Sequence, residues 1–562
     1  MTAILGVNSF GHDTSACLVV DGEVVAMGEQ ERFNRDQHTK AFPDDAVKFC
    51  LAKAAIDVSD LDVVAFAHHV PKDFVRGAGD AIARAAPKRL AAQAFVDGRL
   101  ALRDRSFRRR WGYQGRVIHV GHHHAHAASA FYASPFDRAA ILTLDRGGDF
   151  LSTTLGVGEG SRIRTLDHVR NPHSLGEVYT ALTGFLGFRP NADEGKVMGL
   201  APYGTDRLVP DFGDLLRLDG DGLFRVNLRW FRYQREGPPL SPRFVRRYGR
   251  ARVPESEITQ RDRDLAYAVQ DLLEEAGVHL ARRLQRSTGL PNLCVAGGVA
   301  LNSVMNARML KESGFERIFI QPASSDAGNS MGAALWAWHQ MMGKPRQWSM
   351  AHPFWGLEHD EKAMAESFSD RGLTFCQVGS PEVEAAQRLA QGKVVGWFQG
   401  RAEVGPRALG ARSILADPRS AEMRDVVNAR VKRREGFRPF APAVLDERGP
   451  DYFDDYCPTP YMLLVLPVTP DKRQVIPAVT HVDGTARVQG VAADVNPSFH
   501  RLITEFDRLT GVPVLLNTSF NLRGEPMVHR PEEAVTDFLR SDMDCVFLGS
   551  LMCEKPATRP DG

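Results

Sequence analysis

Cysteine is scarce and carries no pattern. The seven residues (17, 50, 294, 376, 457, 545 and 553) are odd in number, and none forms a Cys-x-x-Cys pair. That argues against a disulfide framework and a cysteine-based zinc site. A reducing, cytoplasmic setting is the expectation that follows. No run approaches the ~18 consecutive apolar residues of a membrane span. The opening MTAILGVNSFGHD has neither a basic n-region nor a cleavage pattern, so neither a signal peptide nor a membrane partner is expected. Net charge is almost absent: Lys+Arg 70 against Asp+Glu 69 gives +1. This balance gives no global reason to expect a nucleic-acid partner. Lysine itself is rare, 13 residues against 57 arginines, a usage that points to a GC-rich coding sequence. Gly 50 and Pro 33 are too few for a fibrous or low-complexity chain. What remains is a globular composition, 43% hydrophobic and 25% charged, with length for about two to four domains.

The chain begins with a strand, a polar loop and a hairpin. Ala3–Val7 is apolar, Asn8–Thr14 is a loop holding His12 and Asp13, and Asp21-Gly22 separates Ser15–Val20 from Glu23–Met27. Asp-Gly between two such runs is a two-residue hairpin turn. The same grammar returns later. A strand opens at Ala140 and ends at Asp145, Arg146–Asp149 forms the loop, and Leu151–Val157 and Arg162–Val169 make a second hairpin. Helical periodicity follows each copy, at Ala46–Ala55 and at Asp264–Arg283. Such self-similarity suggests a duplicated unit, and two facing copies are the architecture of the actin and sugar-kinase superfamily. Residues 73–110 and 205–263 are basic insertions, the former helical with a break at Pro87, and they read as solvated faces or substrate cover, or alternatively as an RNA or anionic-ligand surface. A boundary is expected near 343–365, where Gly343, Pro345, Pro353 and Gly356 interrupt the pattern. A helix at Glu382–Ala390 and a strand at Val394–Phe398 then open a second α/β domain.

Three groups of residues carry chemistry. His119, His122, His123, His124 and His126 fall within eight positions, which reads first as metal binding. On a helix, His122 and His126 share one face, and the alanines around them favour that helix. The other three histidines are expected to be bystanders. Asp145 at its strand end and Asp326 in Ser324–Gly328 are the carboxylates to complete the set. Two His and two Asp suit Fe(II), Mn or Zn. The second group is a pair of glycine turns, Asp193–Gly199 (with Lys196) and Ala296–Asn302 (with Gly297 and Gly298). A glycine pair between strand and helix lets a phosphate approach the helix N-terminus, and a plain tight turn is an equal reading. The third group is cationic: Gly400–Arg419 with Arg407, then Lys432, Arg433, Arg434 and Arg438 in KRREGFRPFAP, Arg487, and Asn517–Asn521 with Ser519. Guanidinium forks among Gly, Pro and Phe suggest a rigid phosphate pocket.

HHHAHAAS (122–129), DEGKVMGLAPYG (193–204), Ala296–Asn302, Val404–Arg419 and NTSFNLRGE (517–525) together resemble the NodU/CmcH-type O-carbamoyltransferases, which include the tobramycin-type enzymes of antibiotic biosynthesis. The resemblance runs in order from about residue 3 to 550. It implies an N-terminal actin-like domain similar to the tRNA threonylcarbamoyl-transferase (TsaD-type) fold over 1–352 and a YrdC-like domain over 353–562. It also implies that His122, His126, Asp145 and Asp326 bind a metal, usually iron. Lys432, Arg438, Arg487 and Ser519 match the pocket for carbamoyl phosphate and adenylate, with Arg407 in the same motif set. Lys196, Gly297, Gly298 and Asn302 fall in nucleotide-contacting motifs, and His12 matches a general base. An ordinary histidine pKa of ~6.5 would suit that base.

The activity so implied starts with carbamoyl phosphate and ATP with Mg. Carbamate released from carbamoyl phosphate attacks ATP, giving carbamoyl adenylate and pyrophosphate, and a hydroxyl then takes the carbamoyl group. The acceptor class spans sugars, aminoglycosides, cephems and macrolide or polyketide hydroxyls. Oligomeric state is not legible, with a homodimer as one expectation. Three other classes compete. A tRNA threonylcarbamoyl transferase fits the charge balance less well. A hydrogenase-maturation carbamoyltransferase would add an acylphosphatase-like domain and Cys-x-x-Cys fingers. A non-catalytic actin-like binding protein leaves the His/Asp set unexplained.

Overall fold

The structure is a computed structural model that describes residues 1–9, 11–68, 98, 102–220, 222–232 and 237–555. Most of the basic stretch 73–110, with Pro87, lies outside the described residues. The chain forms two compact units. One comprises Met1–Gln30 and His38–Met350, the other Glu31–Gln37 and the chain from Ala351 onward. Among the described residues no helix is long and apolar enough to cross a membrane.

The first unit contains two five-stranded sheets. The first is built from β1 (Ala3–Asn8), β2 (Ser15–Val20), β3 (Glu23–Glu29), β4 (Val63–Ala67) and β5 (Arg116–Val120) in the order β3-β2-β1-β4-β5. β1 runs antiparallel to β2 and parallel to β4. All six residues of β1 and all five of β4 are buried, the continuous apolar pattern of strands covered on both faces. Asp21 and Gly22 close the β2–β3 hairpin with φ of 48° and 91°, the two left-handed positions that a tight hairpin turn needs.

The second sheet uses β6 (Arg138–Gly148), β7 (Leu151–Glu159) and β8 (Arg162–Arg170). A small hairpin of β9 (Leu216–Leu218) and β10 (Phe224–Val226) stands apart, and the sheet is completed by β11 (Asn292–Ala296) and β12 (Arg317–Ile320). Its order is β8-β7-β6-β11-β12, with β6 antiparallel to β7 and parallel to β11. Strand for strand this repeats the first sheet. The fold is α/β with a duplicated actin-like topology in its N-terminal unit.

The described part of 205–263 is a folded module around packed aromatic rings, tilted or edge-on to one another. Phe244 and Tyr248 lie 4.5 Å apart and Phe212 and Tyr248 5.4 Å apart. Several of its arginines are answered by acids, Arg247 by Asp211 at 2.6 Å and Arg225 by Asp219 at 3.0 Å.

The second unit is built on one eight-stranded mixed sheet. Its strands are β13 (Cys376–Gln377), β14 (Val395–Phe398), β15 (Arg412–Ala416), β16 (Ala441–Leu445), β19 (Gln489–Val491), β20 (Val514–Ser519), β21 (Cys545–Leu548) and β22 (Leu551–Glu554). Their order is β13-β22-β21-β14-β15-β20-β16-β19. A two-stranded ribbon of β17 (Val465–Pro467) and β18 (Thr485–Arg487) flanks it. Helices Pro381–Ala390, Pro497–Thr510 and Pro531–Arg540 each open on a proline, which fits the first helical turn. Their apolar faces bury Leu389, Phe499, Phe506 and Phe538 with Trp397 and Phe547 of the sheet.

Candidate metal centre and cationic pocket

The helix His122–Phe131 follows β5, and its alanines let it pack closely. Ala125 meets Gly332 of the helix Asn329–Trp336 so tightly that a Cβ on Gly332 would sit 1.8 Å from the Ala125 carbonyl oxygen. This approach brings the start of one helix against the turn Asp326–Gly328 that leads into the other. Asp145 arrives on β6, with its Oδ1 accepting from the Gly298 amide at 3.0 Å and its Oδ2 from the Gly147 amide at 3.1 Å.

Four donors converge. His122 Nε2 lies 3.1 Å from His126 Nε2, 3.1 Å from Asp145 Oδ2 and 3.6 Å from Asp326 Oδ1, and His126 Nε2 lies 3.5 Å from Asp326 Oδ1. Donors held about 2.0–2.2 Å from one ion are roughly 3.3–3.6 Å apart in a tetrahedral arrangement and roughly 2.8–3.1 Å apart at adjacent octahedral positions. Asp145 is buried and Asp326 half-buried, and although desolvation raises both carboxyl groups, the histidines hold them below the usual carboxylate range. Two anionic oxygens and two imidazole nitrogens make a set that a divalent cation neutralises, so these residues fit a metal.

Other groups steady the ligands. His68 Nε2 lies 3.3 Å from His122 Nδ1, and Asp149 Oδ2 accepts from the His122 amide at 2.6 Å. Asn329 Nδ2 lies 3.3 Å from His126 Nε2 and 3.5 Å from Asp326 Oδ1. The three bystander histidines are engaged elsewhere. His119 pairs with Asp104 at 2.9 Å, His123 Nδ1 with Thr143 Oγ1 at 2.7 Å, and His124 stacks on Trp336 at 4.6 Å.

The loop carrying His12 reaches this centre. A Cβ on Gly11 would lie 3.7 Å from Asp326 Oδ2. His12 differs from its expectation. Burial alone would lower its pKa, but the hydrogen bond and charge of Asp13 outweigh burial and raise it above the ordinary value. His12 Nδ1 sits 3.1 Å from Asp13 Oδ2 and His12 Nε2 3.0 Å from the Asn191 carbonyl oxygen. Both nitrogens face acceptors, so the ring is held between the Asp13 carboxylate at Nδ1 and the Asn191 carbonyl oxygen at Nε2.

The glycine motifs also differ from simple turns. Asp193–Gly199 is not a turn: Glu194–Leu200 is helical, because burying Lys196, Val197 and Leu200 outweighs the low helix propensity of its glycines. Lys196 Nζ lies 3.3 Å from Asp193 Oδ2. Gly297, at φ 101°, packs where a Cβ would meet the Leu144 carbonyl oxygen at 2.1 Å. Gly298 holds Asp145, and Asn302 caps the helix Ser303–Glu312 through the Met305 amide while exchanging hydrogen bonds with Gln270. Of these residues, Gly297 and Gly298 pack against the strand end that carries Asp145.

In the second unit, Lys432 and Ser519 meet. Lys432 Nζ donates to the carbonyl oxygens of Ser519 (2.8 Å) and Asn521 (2.7 Å) and to Asn521 Oδ1 (2.6 Å), and Ser519 Oγ donates to Asn521 Oδ1 at 2.6 Å. The ammonium is spent on this loop and fixes its shape. Arg407, Arg434, Arg438 and Arg487 form the cationic core. Burial lowers the Arg487 pKa well below the guanidinium range, and the charges of Arg407, Arg434 and Arg438 lower it further. Arg407 is lowered to about 10 by burial and then by Arg438. Among the described residues Arg487 Nε has no hydrogen-bond partner. Clustered, desolvated guanidinium groups are expensive unless an anion joins them. His38 and Asn329 carry no local sequence signal for these roles, whereas Arg434 lies in the cationic stretch KRREGFRPFAP.

The family description Carbamoyltransferase N-terminus matches residues 3–335, and Carbamoyltransferase C-terminus matches residues 386–555. An uncharacterized protein of Synechocystis is 40% identical over 610 aligned positions, covering 99% of this chain and 97% of that one. Nodulation protein NolNO of Sinorhizobium fredii is 39% identical, covering 99% of this chain and 80% of its own. Nodulation protein U of Rhizobium tropici is 30% identical, covering 91% and 90%. Among solved structures, HypF of T. kodakarensis matches 61% of this chain and 48% of its own at 15% identity and a TM-score of 0.32. The chain belongs to the carbamoyltransferase family.

Proposed function

We propose that this carbamoyltransferase uses ATP to activate the carbamoyl group of carbamoyl phosphate as carbamoyl adenylate and passes it to a hydroxyl of a small molecule, a sugar or an antibiotic-type natural product. The observation that carries the reading is the cluster of Arg407, Arg434, Arg438 and Arg487 in the second unit, where burial and neighbouring guanidinium charges lower the pKa of Arg407, Arg434 and Arg487. Substrates bearing several phosphate oxygens relieve that repulsion through forked hydrogen bonds. The first step breaks the carbamoyl–phosphate bond, and carbamate oxygen then attacks the ATP α-phosphorus as pyrophosphate leaves. The arginines neutralise charge on the phosphates, and Lys432 keeps the Ser519–Asn521 loop in place beneath them.

Transfer belongs to the first unit. His122, His126, Asp145 and Asp326 would hold the metal, Fe(II), Mn or Zn, which supplies Lewis acidity and orientation for phosphate or carbonyl oxygen when bound. His12 manages the proton of the acceptor hydroxyl. The Asn191 carbonyl caps its Nε2, so proton abstraction there requires that contact to open.

The test is a panel of aminoglycosides, sugars and macrolides incubated with the chain, ATP, Mg²⁺ and carbamoyl phosphate, each product read by mass spectrometry. A gain of one carbamoyl group on an alcohol, absent without ATP, is expected. Modification of tRNA in place of any small alcohol would favour the threonylcarbamoyl-type alternative.

A further inference from the structure

Asp13 lies between two imidazoles. His12 Nδ1 meets Oδ2 at 3.1 Å, and His38 Nδ1 meets Oδ1 at 2.7 Å. The two rings stack with centroids 4.6 Å apart and planes 22° apart. The loop is held from below, since Asn8 Nδ2 donates to the carbonyl oxygens of His12 (3.2 Å) and Asp13 (3.1 Å). Asp13 and His38 both adopt left-handed backbone, φ 52° and 58°, a conformation that persists in non-glycine residues where surrounding contacts hold it.

A single Asp–His pair leaves the carboxylate free to rotate about its χ2, a broad torsion. Here the second oxygen is occupied. With both oxygens taken, the carboxylate plane is fixed, and so is the direction of the His12 Nδ1–H bond. A ring whose Nδ1 is held on a carboxylate presents Nε2 as its working atom. His12 Nε2 is the nitrogen that faces the Asn191 carbonyl oxygen at 3.0 Å.

We propose that Asp13 and His38 are positioning residues for His12: Asp13 holds the His12 Nδ1–H, and His38 locks the carboxylate so that His12 Nε2 points at the acceptor hydroxyl, whose oxygen binds where the Asn191 carbonyl oxygen now lies. The inference rests on the carbamoyl-transfer reading. In the step itself the acceptor O–H proton passes to His12 Nε2, the oxygen forms its bond to the carbamoyl carbon, and the bond from that carbon to the adenylate oxygen breaks. AMP leaves with the electron pair. His38 touches none of the reacting atoms.

The donor atoms of His12, Asp13 and His38 also lie within 4.8 Å of one another, so a second metal ion is the competing occupant. The experiment compares the full chain with His38→Ala, His38→Gln and Asp13→Asn. It measures metal per chain, carbamoyl-phosphate-dependent pyrophosphate release, and kcat and KM for transfer to an accepted alcohol. It also records the side-chain ¹⁵N signals of His12.

Metal content and pyrophosphate release are expected to match the parent chain in all three variants. Transfer kcat should fall about tenfold in His38→Ala and about a hundredfold or more in Asp13→Asn, the range of a mispositioned general base, with acceptor KM little changed. His38→Gln, which keeps a donor for Asp13, should recover most of the rate. The His12 Nδ1 proton should be seen in the parent chain and be perturbed in Asp13→Asn. Unchanged transfer in His38→Ala, parallel loss of pyrophosphate release, or loss of one metal equivalent in His38→Ala would each overturn the proposal. If the parent chain carbamoylates no alcohol, the functional reading fails instead, and the ¹⁵N spectra still decide whether Asp13 holds His12.

Discussion

Asp326 Oδ1 lies 3.5 Å from His126 Nε2, although one residue heads the turn before the helix Asn329–Trp336 and the other sits mid-way along the helix His122–Phe131. The contact depends on how closely these two helices approach at Gly332. A methyl group there would overlap the Ala125 carbonyl oxygen, and backbone cannot swing aside as a side chain can. Gly332→Ala is therefore expected to destabilise the chain by about 1–3 kcal/mol and to lower metal content with it. Gly220→Ala, where nothing lies near the added methyl, should leave both unchanged. Thermal denaturation and elemental analysis check the pair.

The donor set makes a sharper prediction. His126→Ala and Asp326→Asn should each abolish stoichiometric metal. His124→Gln should retain it, because that ring stacks on Trp336 instead. Asn329→Ala, which removes a neighbour of His126 and Asp326, should weaken metal binding about 10–100-fold. Equilibrium dialysis against a chelator gives these values.

The proposed division of chemistry between the two units is tested by variants that separate the steps. Lys432→Ala removes the donor that ties the Ser519 and Asn521 carbonyl oxygens together, and should abolish carbamoyl adenylate formation. His12→Ala should spare that step and block transfer. Equal loss of both steps in His12→Ala contradicts this division.

Arg487→Met should raise the KM for carbamoyl phosphate or ATP about 10–100-fold, the worth of a charge-assisted hydrogen bond. Steady-state pyrophosphate release measures it. Because Arg487 is disfavoured by the other three arginines, the same variant should raise Tm in the ligand-free chain.

A pH dependence follows from Asp537, buried on the helix Pro531–Arg540. Burial and the adjacent Glu525 push its carboxyl up to about 7. The folded chain thus holds a proton that the unfolded chain has already lost. Stability from this group is present below about pH 4 and falls as pH rises through about 7. Asp537→Asn should raise Tm at about pH 8 and change little at about pH 4. A Tm gain that is the same at both pH values would contradict it.

Much of this was legible in the sequence where the signal is local. Asp21-Gly22 between two apolar runs specifies a hairpin, and the recurrence of strand, loop and hairpin at Ala140–Val169 specifies the repeat. His122 and His126 at helical spacing predict a shared face, and Asp145 and Asp326, the carboxylates expected beside it, lie within reach of it. What was not legible depends on tertiary placement. His38 has no local pattern marking it as the partner of Asp13, since the contact forms only when the chain returns from Glu31–Gln37. The raised pKa of His12 has the same origin, since burial lowers it and the hydrogen bond and charge of Asp13, with the charge of Asp326, outweigh that burial. Asp193–Gly199 misled because glycine signals a turn by propensity, while the helix is stabilised by the side chains it buries.

The most direct test of the account needs no acceptor. The metal-loaded chain is mixed with ATP, Mg²⁺ and carbamoyl phosphate, pyrophosphate is measured, and carbamoyl adenylate is sought by mass spectrometry. The account expects pyrophosphate release that depends on carbamoyl phosphate, with carbamoyl adenylate present. ATP turnover indifferent to carbamoyl phosphate, with no adenylate formed, would contradict it.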